Sequence, residues 1–138
     1  ASMQNIKAGA KSNPGRVQEM LTANPAMVFF REEAIVDPEL GPKGAYGLPL
    51  IGERSVAIDT TFVPLGTPLF LSTQYPASKK PLQRLVFAQD TGAAIRGAAR
   101  TDFYWGFGEE AGAQAGRMKQ QGEMWALWPK QGGAPSAR

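Results

Sequence analysis

The segment Phe87 to Glu110, FAQDTGAAIRGAARTDFYWGFGEE, sets Asp90 and Asp102 among small and apolar residues. Asp90 follows the apolar run Arg84-Leu85-Val86-Phe87-Ala88, and Asp102 is followed directly by Phe103, Tyr104 and Trp105. A carboxylate beside aromatic rings loses water, which disfavours its ionised form, and a second carboxylate nearby adds to the effect. Such a group can hold a proton near neutral pH and act as a general acid. Asp next to Gly or Thr also caps turns through side chain to backbone hydrogen bonds. From the residues alone both readings stand.

Composition narrows the chemistry. The 138 residues include no His and no Cys, which removes disulfides, thiol nucleophiles, imidazole bases and the usual zinc ligands. Acid and base work falls to the 12 Asp and Glu, helped by Lys and Tyr. The net charge of +3 comes from scattered basic residues. That pattern fits a solvated basic surface rather than nucleic-acid binding, and is compatible with a polyanionic cell-wall partner. No apolar run has the length of a transmembrane helix, and Ala1 to Ala10 lacks the apolar centre of a signal peptide.

The elements that must position these carboxylates are short. One domain with a real core fits the length, and 43% hydrophobic residues make it globular, while 16 Gly and 11 Pro favour turns and short strands. Residues 1–12 read as a flexible segment and 129–138 as a loose tail. Asn13-Pro14 predicts a helix start, with Val17, Met20 and Leu21 as its apolar stripe up to Ala23. Strands are expected at Met27–Phe30, Ser55–Ile58, Pro68–Ser72, Leu85–Gln89, Ala93–Ile95 and Glu123–Trp128. Loops are expected from Glu32 to Gly47 and from Ser78 to Gln83, and a second helix from Glu109 to Gln120. This is a mainly β pattern, a small barrel of about six strands with one or two peripheral helices.

Three aspartates follow apolar strands: Asp59 in AIDTTFVPLGTPLFL, Asp90 in VFAQDTGAAIRG and Asp102 in ARTDFYWGFG. Together with NPAMVFFRE, GAYGLPLIGERSVAID and GEEAGAQAGRMKQQGEMWALW, these segments resemble the three-aspartate (3D) domain of the membrane-bound lytic murein transglycosylase A family. The resemblance runs from about Asn13 to Trp128. It implies a six-stranded double-psi β-barrel over 13–128 and cleavage of the β-1,4 bond between N-acetylmuramic acid and N-acetylglucosamine in peptidoglycan. The product is a 1,6-anhydromuramic acid end, formed with one carboxyl group as acid and then base and with no cofactor or metal. The residue matching the family's acid is Asp102; Asp90 would tune it, and Asp59 would support the cleft floor. Gly92, Ala93 and Ala94 would keep that floor low for a sugar ring, and Tyr104 and Trp105 would either stack on sugars or belong to the core. The stretch from Asp90 to Asp102 is one residue longer than in many relatives, through GAARTD.

The resemblance further implies a periplasmic protein associated with the outer membrane. Family members are much longer, with part of the barrel ahead of the matching segment and an inserted domain forming the other wall of the saccharide groove. The expectation for this chain is that it carries neither the family's signal nor its lipid anchor, and that it is either a fragment of such a protein or completes the barrel as a homodimer or by strand exchange. A non-catalytic saccharide-binding barrel is the alternative.

Overall fold

The computed structural model describes residues 3–25, 29, 32–34, 37 and 39–131. Two compact units divide the chain, Ala1–Ala34 and Ile35–Arg138. The first is helical. Helix α1 spans Met3–Ser12, where a flexible segment was expected, and a 3-10 turn at Pro14–Arg16 leads into α2 at Val17–Thr22. Pro14 starts the 3-10 turn rather than one continuous helix, because the Asn13 amide N–H still bonds back to the Gly9 carbonyl at 3.0 Å and closes α1 there. The Arg16 and Glu19 side chains then pair at 2.8 Å across the first turn of α2.

The second unit is a mixed sheet of five strands, β1 Ser55–Ile58, β2 Pro68–Gln74, β3 Pro81–Asp90, β4 Thr101–Phe103 and β5 Glu123–Ala126, with helix α3 at Glu109–Arg117. The spatial order is β4-β1-β3-β2-β5; β1 and β3 run parallel and the other neighbours antiparallel. Alternation sorts the side chains. Val56, Ile58, Leu69, Leu71, Val86 and Ala88 form the buried core, joined by Val63, Leu65, Phe103 and Met124. On the opposite face, Phe70 lies between Leu85 and Trp125 in register, and its ring sits 6.0 Å from that of Trp125.

The mainly β class holds, with five strands among the described residues where six were expected. Met27, Val28 and Phe30 of one expected strand lie outside the described residues. The expected strand Ala93–Ile95 is instead a turn, closed by the Ile95 N–H on the Gly92 carbonyl at 2.9 Å. Conversely β3 begins at Pro81, inside the stretch expected as loop, because Leu82, Gln83 and Arg84 pair with Thr73, Ser72 and Leu71 of β2. Helix α3 stops at Arg117 rather than Gln120, since Met118 turns extended and carries the chain toward β5, which ends at Ala126. Of the expected tail, Pro129 to Gln131 are described and exposed, and residues 132–138 lie outside the described part.

Candidate functional site

Three neighbouring strands bring the aspartates together. Ala57, in β1, lies opposite Asp102 of β4 on one side and opposite Asp90 of β3 on the other. Residues directly opposite across a ladder share a face. Asp102 and Asp90 therefore stand on the same face, either side of a methyl group and two strand spacings, about 10 Å, apart. The register of β1 on β3 shifts between Val56 and Ala57, so that Ala88 and Asp90 face successive β1 residues and Gln89 is extra. This is the geometry of a β-bulge, which re-aims side chains at the rim of a sheet. Without it Gln89 rather than Asp90 would face Ala57.

Each aspartate has distinct partners. Asp59, just past β1, is buried, and its carboxylate accepts the Gly97 N–H at 2.8 Å and the Thr61 N–H at 3.0 Å. Those donors, with the Thr61 hydroxyl and the charge of Arg96, outweigh the desolvation that burial brings and hold its carboxyl below the usual carboxylate range. Asp59 thus ties the β3–β4 loop to the end of β1. Asp90 accepts the Ala45 N–H at 3.0 Å, and the Gln89 carbonyl beside it accepts the Tyr46 N–H at 3.0 Å. Its partner is the Lys43–Leu50 loop, not Asp102. That loop closes through the Lys43–Pro49 bridge and seats the buried Leu50.

Asp102 is half-exposed, and both its oxygens are engaged by Arg100: Oδ1 by Nε at 3.2 Å and Oδ2 by Nη2 at 3.3 Å. The expected drying by neighbouring rings does not occur, because alternation turns Phe103 into the core while Asp102 faces outward. Trp105 is buried beside Phe103 and Tyr75, with ring centroids 4.9 and 5.8 Å away. Tyr104 sits under the adjoining loop: its hydroxyl lies 3.1 Å from where a Cβ on Gly41 would be, and its backbone bonds to Ser55 and Glu53. Gly92 lies against Ile95, which is buried, and Ala93 and Ala94 are exposed on the same loop.

A groove of about 970 Å³ separates β4 from β5. Asp102, Arg100, Trp105, Leu71, Met124 and Lys119 are among its walls. The Trp105 indole Nε1 is buried with no hydrogen-bond partner. No group of acidic side chains among the described residues could hold a metal ion. Arg100 escaped the reading of the sequence, although its place two residues before Asp102 in an extended segment is the signal that would put both on one face. The Ala45 contact had no such signal, since it spans 45 residues.

Comparison with known proteins shows what the chain is similar to. The 3D domain family model matches residues 54–128, more than half of the chain. Membrane-bound lytic murein transglycosylase A of Escherichia coli (strain K12) is 36% identical over 132 residues, covering 91% of this chain and 35% of that protein. The crystal structure of MltA from Neisseria gonorrhoeae, in its monoclinic form, has a TM-score of 0.85 and 48% identity, covering 99% of this chain and 34% of that one. E. coli MltA with bound chitohexaose has a TM-score of 0.77 and 34% identity, covering 91% and 38%. The chain spans about a third of the length of the curated relatives it matches.

Proposed function

The chain belongs to the membrane-bound lytic murein transglycosylase A family through its 3D domain, and on that premise we propose that it is the acid-bearing part of a peptidoglycan lytic transglycosylase. The observation that carries this reading is the placement of Asp102: a half-exposed carboxyl on the outer face at the sheet edge, beside a groove, with Asp90 and Asp59 fixing the loops around it. Asp102 protonates the glycosidic oxygen as the C1–O bond breaks. The carboxylate left behind then takes the proton of the muramic acid C6 hydroxyl, and O6 closes on C1. The donated proton leaves with the released sugar and the C6 proton restores the acid, so no water is consumed. Ordinary glycoside hydrolysis would instead need a second carboxyl as base or nucleophile. At about 10 Å from Asp102 and bonded to Ala45, Asp90 shapes the rim of the site in this mechanism.

The bound chitohexaose of E. coli MltA supports saccharide as the ligand class. The finer architecture is a double-psi barrel completed by further strand at the β4–β5 groove, from a second copy or a partner segment, in a periplasmic protein associated with the outer membrane. A saccharide-binding barrel without turnover is the second reading, favoured by the ion pair that occupies Asp102. Digestion of purified sacculi followed by mass spectrometry of the released muropeptides separates the two. Wild-type chain is expected to release anhydro ends and Asp102→Asn to release about 100- to 10,000-fold less, the worth of one general acid and base. Activity of Asp102→Asn within a few fold of an active wild type would remove Asp102 from the mechanism.

A further inference from the structure

We infer that Arg100 is a specificity determinant, holding Asp102 until a carboxylate on a substituent of the glycan takes the guanidinium in its place. The inference rests on the reading of Asp102 as the acid. Both oxygens of Asp102 accept from Arg100, at 3.2 and 3.3 Å, in the fork geometry that guanidinium and carboxylate share. A guanidinium has donors only, so it cannot accept the proton that an acid must carry on one of those oxygens. The pair as found is therefore a resting arrangement, and Arg100 must leave before Asp102 can protonate a glycosidic oxygen.

The pair is built to exchange. Both side chains are about half exposed, at 50% and 49%, and ion pairs in that setting are weak. The backbone under Arg100 is held, because Gly97 is bound to Asp59 and the Arg100 N–H bonds the Gly97 carbonyl at 3.2 Å, while the half-exposed guanidinium lies on the Asp102 carboxylate at the edge of the sheet. Arg96, the other arginine of this loop, is committed elsewhere, with Nε on the Ala93 carbonyl at 3.1 Å and its charge beside Asp59. A neutral saccharide offers hydroxyls and amides, which compete poorly with a carboxylate for a guanidinium. Carboxylate-bearing peptides on muramic acid compete well. Arg100 thus couples recognition of a charged, peptide-bearing glycan to release of the acid.

The test is calorimetric titration of the intact chain with three probes of one length: chitotetraose, a wall-glycan tetrasaccharide bearing its peptides, and that tetrasaccharide with its carboxylates amidated. Wild type is expected to prefer the charged tetrasaccharide over the other two by about three- to tenfold, the scale of one half-exposed charge-assisted contact, with the preference shrinking as salt rises. Arg100→Gln should erase the preference, and Arg100→Lys should keep part of it. No preference in wild type, or one that survives Arg100→Gln, overturns the inference. Sacculus digestion run alongside separates the two ideas. An Arg100-dependent preference without anhydro ends defeats the transglycosylase reading alone, and anhydro ends without charge preference defeat the role of Arg100 alone.

Discussion

At the scale of single residues, the three aspartates that look equivalent in sequence divide by their donors. Asp102 faces an arginine, Asp90 one loop amide, and Asp59 two amides, so Asp59 is the one whose charge is tied to folding. Its carboxyl is held below the ordinary value near 3.9, chiefly by the Gly97 N–H. A carboxylate favoured in the folded state contributes stability that is complete above about pH 4 and is lost as pH falls through the depressed folded value. Asp59→Asn keeps the shape and removes the charge. Thermal melts should show wild type above Asp59→Asn at about pH 6, with the gap closing below about pH 4. A gap unchanged through the acid range would assign the effect to shape. That Asp59 tethers Gly97 was not legible in the sequence, since a turn-capping Asp and a loop-pinning Asp look alike until the partner 38 residues away is known.

Among the elements, what was legible depended on where the pairing information sits. Strands β1 and β2 are apolar runs ending at turn residues, so Ser55–Ile58 and the start at Pro68 could be read directly. Strand β4 could not, because Thr101–Phe103 has three residues after a Gly-Ala-Ala stretch and owes its extended form to pairing with Val56, Ala57 and Ile58. The same tertiary pairing extends β3 back to Pro81. The loop over Asp90 was anticipated as a loop, but its docking was not. It depends on Gly44, where an added Cβ would lie 2.4 Å from the Gln89 carbonyl oxygen and 2.6 Å from Leu50 Cδ2. Backbone on one side and a buried side chain on the other leave little room to yield. Gly44→Ala is expected to cost about 1–3 kcal/mol, as overpacking does, and to lift the loop off β3. Hydrogen exchange should then speed up at Ala45 and Tyr46, whose amides bond Asp90 and Gln89, while the β2–β3 ladder stays protected. Uniform acceleration across the sheet would mean that the loop is integral to the core.

For the molecule as a whole, the open sheet is the fact with the widest consequence. Among the described residues β4 pairs only with β1, and β5 only with β2, so both ends of the sheet present unpaired backbone. These two edges line the same groove. An unpaired edge recruits another strand. The resemblance in sequence pointed to a completed barrel, yet the place where it stays open became visible only once the strand order was known. The chain is expected to associate, with extended backbone entering between β4 and β5. Sedimentation velocity across about 1–100 μM should show mass rising with concentration toward a dimer, a range set by the modest size of a strand-edge contact. Amides of Thr101–Phe103 and Glu123–Ala126 should gain exchange protection over the same range, with β3 unchanged. A monomer at every concentration, with no change at either edge, would mean that the groove is stable unfilled and that the edges are not sites of assembly.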